Sequence, residues 1–168
     1  MGKSGLALTL ARAFNGEIIS ADSRQVYRFM DVGTAKLSSE DRAEIRHHLI
    51  DNLDPDKDFS LALFLDMAHE AIQDVHARGK LPIVVGGTGQ YVWALAEGWQ
   101  VPHVPPDQRL RQELEERVSR EGPDSLHRTL YEIDVETASK INSHNVRRVI
   151  RALETYYATG VAPSTLRR

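Results

Sequence analysis

Two apolar runs, Glu17-Ile18-Ile19-Ser20-Ala21-Asp22 and Leu81-Pro82-Ile83-Val84-Val85, each follow a stretch patterned for a helix. Before the first, Leu6, Leu8, Leu10, Ala13 and Phe14 form an amphipathic segment. Before the second, Leu61, Phe64, Leu65, Ala68, Ile72 and Val75 recur at helical spacing, with Ser60 as N-cap and Gly79 as terminator. A further helix, Tyr91 to Ala96, follows the second run. Such alternation commits the chain to an α/β fold, because parallel strands cannot be joined by a hairpin and need right-handed crossovers. Between the two runs, 39–45 reads as a weak helix and His47-His48-Leu49-Ile50-Asp51 as a strand or extended loop.

The character changes at Val101-Pro102-His103-Val104-Pro105-Pro106, and everything beyond it reads as helical. Asp107 caps a segment with Leu110, Leu114 and Val118 inward and Arg111/Glu115, Glu113/Arg117 and Glu116/Arg120 as charge pairs. Shorter helices are expected over 126–131 and 135–141, and a last one over 145–158. The expected organisation is an α/β core over 1–104, a helical insertion over 105–143, and a helix over 144–168 that returns to the core.

At 168 residues and 41% hydrophobic content the chain can bury one sizeable core. A net charge of −3 excludes a uniformly basic nucleic-acid binder but not a local basic patch. Without cysteine there is neither a disulfide framework nor a thiolate metal site. No apolar run reaches membrane-spanning length, and no signal peptide precedes Gly2, so a soluble cytoplasmic protein is expected.

Four groups of residues have chemical potential. Gly2-Lys3-Ser4 matches the back end of the phosphate-loop signature G-x-x-x-x-G-K-[ST] and runs directly into a helix. There the helix N–H groups and the Lys3 ammonium suit a phosphate, and the Ser4 hydroxyl suits Mg²⁺. An ordinary helix start is the alternative. Asp22 ends a parallel strand, where open α/β sheets place ligands, and could contact a metal, act as a base or merely cap the next turn. Gly86-Gly87-Thr88-Gly89 is a second glycine-rich turn at a strand–helix junction, which would put the Thr88 hydroxyl in the same crevice. Arg147, Arg148 and Arg151 on the last helix suit pyrophosphate or RNA phosphates, or form a solvated basic face. His47 and His48 point to opposite faces of an extended chain and so cannot both hold one ion; a hydrogen-bonding role is expected, and no zinc.

Taken together, these segments resemble the tRNA dimethylallyltransferases (tRNA isopentenyltransferases). The resemblance is carried, in order, by Ile18-Ile19-Ser20-Ala21-Asp22-Ser23-Arg24-Gln25-Val26-Tyr27, Met30-Asp31-Val32-Gly33-Thr34-Ala35-Lys36, His47-His48-Leu49-Ile50-Asp51, Val85-Gly86-Gly87-Thr88-Gly89 and Arg148-Val149-Ile150-Arg151-Ala152-Leu153-Glu154. The chain departs from the family pattern at Leu37, Arg46, Gln90 and Asp134-Val135. The resemblance implies a P-loop-type parallel sheet plus a helical insertion that grips the anticodon stem-loop. It implies transfer of a dimethylallyl group from dimethylallyl pyrophosphate to the exocyclic amine of the adenosine 3′ to the anticodon, with Mg²⁺.

By the same resemblance, Asp22, Thr88 and Arg151 are catalytic, Gly2, Lys3, Ser4 and Arg148 bind pyrophosphate, and Ser4 holds the metal. Asp22, Ser23, Arg24, Gln25, Arg147, Arg148, Val149, Ile150 and Arg151 would face tRNA, whose target base leaves its stack. A monomer is expected. Because family members are longer, the chain is expected to be truncated at both ends, lacking a first strand at the sheet centre. Ile18-Ile19 and Ile83-Val84-Val85 would then lose a shared neighbour, and this form would have little activity. Alternatives are an adenylate isopentenyltransferase acting on free AMP, an inactive fragment of the tRNA enzyme, and a small P-loop kinase.

Overall fold

The computed structural model describes residues 2–34, 36 and 39–167; Met1, Ala35, Leu37, Ser38 and Arg168, and with them the Ala35 match and the Leu37 departure, lie outside the described residues. The chain divides into two compact units, Met1–Gly98 and Trp99–Arg168. None of the described helices is long and apolar enough to cross a membrane.

The first unit runs α1 (Lys3–Ala13), β1 (Gly16–Ser20), α2 (Ser39–Glu44), β2 (His47–His48), α3 (Leu61–Ala77), β3 (Leu81–Val85) and α4 (Gly89–Ala96). Its three strands form a parallel sheet in the order β2-β1-β3. β1 is buried at every position. It pairs directly with β3 over five residues, from Gly16 opposite Leu81 to Ser20 opposite Val85. This corrects the expectation that 18–19 and 83–85 lack a shared neighbour: they are each other's neighbours. Leu81 N–H donates to Asn15 O and Val85 O accepts from Ala21 N–H, so alternate backbone groups of β3 face β1. Pro82, which has no N–H to contribute, falls between them.

Helix α1 packs on the sheet through Ala7, Leu8 and Ala11, against Ile18, Ile83 and Val85. The amphipathic face expected from sequence is therefore rotated. Leu6 and Phe14 are 62% and 61% exposed, because the small side chains of Ala7 and Ala11 allow the closer approach. A tight connection through Asn15, at φ 51°, reverses the chain into β1, and α1 runs antiparallel to it. An eleven-residue helix and a five-residue strand each span roughly 16 Å, which brings Lys3 and Ser4 level with the carboxyl end of β1. Helix α3 begins where expected, with Leu63 N–H donating to the Ser60 hydroxyl. On this side Phe59, Phe64, Tyr27 and Tyr91 form an aromatic cluster, with Phe64 stacked on Tyr91 at 4.4 Å.

The second unit contains α5 (Gln108–Glu121), α6 (Asp124–Ile133), α7 (Val135–Ser139) and α8 (Val146–Thr159). The last helix, expected to return to the α/β core, lies in this unit's own core. Its Val149, Ile150, Ala152 and Leu153 pack with Leu114, Leu126, Leu130 and Ala138. The fixed polar partner in that core is Glu154, 1% exposed. It accepts two hydrogen bonds from Arg111, at 2.7 and 2.9 Å, and one from Asp107 N–H. Because Arg111 turns to Glu154, the i,i+4 pairs of α5 are Arg109–Glu113 and Arg117–Glu121, shifted from those expected. Asp134 caps α7 through Thr137 and also accepts from Ser164 N–H, tying the end of the chain to α7.

Candidate functional site

The carboxyl ends of β1 and β3 meet at one backbone contact. Ala21 N–H donates to Val85 O, and Ala21 O accepts from Thr88 N–H at 3.1 Å. A side chain at Gly86 would overlap this contact, since its Cβ would sit 2.0 Å from Ala21 O. Glycine is thus required at 86 by the approach of one strand end to the other. Ser23 N–H donates to Thr88 Oγ1 at 3.0 Å, which completes the clasp. With that lone pair engaged, the Thr88 hydroxyl keeps its own proton to donate.

Asp22 stands two residues beyond β1, half-buried. Its Oδ1 accepts from Arg24 N–H at 2.9 Å and Gln25 N–H at 3.3 Å, which fixes the carboxylate plane. The other oxygen, Oδ2, faces Gly87, where a Cβ would lie 3.2 Å away. That side of the carboxylate is left clear by the absence of a side chain. Tyr91 lies close enough to feel this charge: burial pushes its phenol up first, and Tyr27 and Asp22 add to the shift.

Lys3 and Ser4 occupy the exposed first turn of α1. Gly2 precedes them at φ 107°, a conformation a side chain would strain. The first-turn N–H groups, a lysine and a hydroxyl together make the start of α1 an end that favours anions. Gln25 is held from two directions: Ser20 Oγ donates to its Oε1, and its Nε2 donates to Thr34 O.

Of the residues assigned to the second unit, Arg147 and Arg148 are exposed on the first turn of α8, behind the Asn145 cap. Arg151 is partly committed, donating to Val104 O at 2.9 Å and to Glu154 at 3.4 Å. Val149 and Ile150 are 1% and 4% exposed in the unit's core, so their side chains are withdrawn from the RNA-facing set.

Sequence reasoning missed the buried charge centre at the other end of β1. Glu17 is 2% exposed and receives His48 Nε2 at 2.7 Å, Arg78 at 2.6 Å and Lys80 at 3.0 Å. Burial alone would raise its carboxyl, but hydrogen bonds from His48, Arg78 and Lys80 outweigh it and hold the group at about 2. This is the hydrogen-bonding role of His48; His47 instead sets its Nδ1 2.6 Å from Ile45 O. A cleft of about 790 Å³ beside it is lined by Glu17, Arg42, Asp51, Arg78 and Lys80, whose charges are mutually paired. The signal was a glutamate inside an apolar run. Lys36 is similarly hidden: 3% exposed, it donates to Tyr27 O, Asp31 and Asp51 and braces the loop that follows Asp22.

Residues 25–168 match the family model described as IPP transferase. The tRNA dimethylallyltransferase of Roseiflexus castenholzii is 56% identical over 167 residues, covering 99% of this chain and 55% of that protein. The Chloroflexus aurantiacus enzyme of the same name is 56% identical, with 99% and 56% covered. Among solved structures, a eukaryotic dimethylallyltransferase acting on tRNA superposes with TM-score 0.79 at 36% identity, covering 98% of this chain and 40% of that one. The tRNA isopentenylpyrophosphate transferase of Bacillus halodurans gives TM-score 0.58 at 46% identity, with 96% and 53% covered. The chain thus spans about half the length of the curated relatives it matches.

Proposed function

The chain belongs to the IPP transferase family, and from that premise we propose that it carries the site for transferring a dimethylallyl group from dimethylallyl pyrophosphate to tRNA. The acceptor is the exocyclic amine of the adenosine 3′-adjacent to the anticodon. The observation that carries this reading is the clasp between Ala21–Ser23 and Gly86–Thr88, which brings the Asp22 and Thr88 segments together at the carboxyl ends of β1 and β3.

In the proposed reaction the adenine nitrogen forms a bond to the first carbon of the prenyl group as the carbon–oxygen bond to pyrophosphate breaks. The nitrogen must then shed a proton. Asp22 Oδ2 accepts it, because Oδ1 is engaged by two main-chain N–H groups. Thr88 donates its hydroxyl proton to the reacting amine or to the near end of the pyrophosphate. Lys3 and the first-turn N–H groups of α1 stabilise the charge that accumulates on the leaving group. The target base reaches Asp22 only when flipped from its stack, and Ser23, Arg24 and Gln25 line the approach.

Mg²⁺ would be held by the Ser4 hydroxyl with pyrophosphate oxygens, a hard-oxygen set that suits the ion, and would supply further charge neutralisation when bound. In the second unit, Arg147 and Arg148 are exposed cations that suit RNA phosphate. Arg151 has less of its guanidinium to offer. A monomeric, cytoplasmic protein is part of this reading.

The test offers the protein, at the full length of its relatives, labelled dimethylallyl pyrophosphate with tRNA and AMP side by side; the 168-residue form alone is expected to transfer little. Label on the adenosine beside the anticodon is expected. Preferential labelling of AMP, or of neither acceptor, overturns the reading.

A further inference from the structure

The loop between β1 and α2 displays an aromatic ring that the mechanism above does not use. Phe29 is 84% exposed and Val32, three residues on, is fully exposed. Phe29 also holds φ at 64°, a left-handed conformation that is an outlier for a bulky side chain. Both its flanks are pinned. Arg28 N–H donates to Leu53 O at 2.8 Å, and its guanidinium reaches Asp51 O and Asp54. On the other side, Thr34 Oγ1 donates to Met30 O, and Lys36 binds Asp31 and Tyr27 O. The backbone is therefore braced in a shape that keeps a phenyl ring in water, where burial would have been favourable.

Strain that neighbouring structure enforces, at a residue with nothing to pack against, is a mark of a binding surface. Its place in the chain indicates the ligand. The same loop begins at Asp22 and carries Arg24, an exposed cation, before reaching Phe29. An exposed aromatic ring five residues after an exposed arginine, in the loop that leaves Asp22, offers the two groups used to hold single-stranded nucleic acid. Resting on the tRNA reading of that crevice, we propose that Phe29 is a stacking platform for an unpaired nucleotide of the RNA loop, with Val32 extending its apolar surface.

Glycine at this position separates ring from backbone, because it accepts the left-handed conformation without strain. F29G should melt no lower than the parent, while binding a stem-loop RNA with an unpaired adenosine roughly tenfold more weakly, the loss expected for one base–aromatic contact. F29N, which also tolerates this region, carries the same expectation. In turnover, the KM for RNA should rise while the KM for dimethylallyl pyrophosphate stays unchanged. F29W should restore affinity, and its added fluorescence should be quenched by the looped RNA but not by a fully paired hairpin. Unchanged RNA affinity in F29G and F29N, or equal quenching by both RNAs, overturns the proposal. Loop-dependent binding by the parent without prenyl transfer would instead overturn the reaction and leave the platform standing. Loss of affinity for a protein partner with no effect on RNA would assign the ring to that partner and also overturn it.

Discussion

Ser23 N–H donates to the hydroxyl oxygen of Thr88 across 3.0 Å, although the two residues stand 65 positions apart. One hydroxyl therefore joins the loop after β1 to the turn after β3, and structure and proposed chemistry meet in the same atom. Thr88→Val should remove both the acceptor and the donor, lowering the transfer rate about a hundredfold, in line with loss of one transition-state hydrogen bond. Thr88→Ser should keep most of the activity. Single-turnover rates with saturating RNA make the comparison, and equal rates for valine and parent would discard the role.

Asp22→Ala should slow the chemical step by about a hundredfold or more, the usual range for general-base loss, while RNA affinity stays near the parent's. The contrast between the single-turnover rate and the dissociation constant isolates the proton-accepting role. An unchanged rate would mean that Asp22 is not the base.

Gly86→Ala should be worse for folding than for any single chemical function. Its Cβ cannot coexist with Ala21 O at 2.0 Å, so β1 and β3 must part at the site end. A loss of about 3 kcal/mol, the upper part of the overpacking range, is expected from urea unfolding, together with loss of transfer. Gly87→Ala would bring its Cβ to 3.2 Å from Asp22 Oδ2, with no backbone in the way, and should chiefly disturb activity.

Glu17 links the first unit's stability to pH. Its folded-state value of about 2 lies below the ordinary 4.5, so its contribution is complete above about 4.5 and vanishes as pH falls toward 2. The shift corresponds to about 3 kcal/mol. Glu17→Gln should cost a comparable amount near neutrality, by leaving Arg78, Lys80 and His48 without their shared anion, and should flatten the acid limb of stability against pH. A variant whose acid limb matches the parent's would refute this.

Glu154→Ala should loosen the second unit alone. Arg111 would lose both its hydrogen bonds there and Asp107 N–H its acceptor, at a cost of about 2 kcal/mol, since Arg111 is itself 39% exposed and can take up water. Hydrogen exchange should quicken over 107–118 and 146–156, with the sheet residues 16–20 protected as before.

Element types were readable because helical and strand periodicities alternate cleanly in the first unit, and because Ser60 there and Asp107 in the second unit cap where their side chains predict. Which face of α1 packs inward was not readable, since the choice between Leu6/Phe14 and Ala7/Ala11 depends on how closely the sheet approaches. The direct pairing of β1 with β3 is likewise a tertiary outcome that no local pattern encodes. Asp22 and Thr88 were visible as strand-end residues, but the Ser23–Thr88 bond that unites them was not. Val149 and Ile150 enter the RNA-facing set by resemblance, as part of one stretch with the arginines, but on a helix neighbours point to different sides and theirs is buried. Glu17 was overlooked because its partners, His48, Arg78 and Lys80, come from three separate segments.

Glu17 lies near the amino end of β1, whereas Asp22 lies beyond its carboxyl end. Five residues of extended chain hold the two carboxylates roughly 15 Å apart. The strand therefore joins two ends with different duties: the buried Glu17 cluster secures the fold, and the Asp22 end, clasped to Thr88, carries the proposed chemistry. A substitution at the first end is read in unfolding experiments and one at the second in single-turnover rates.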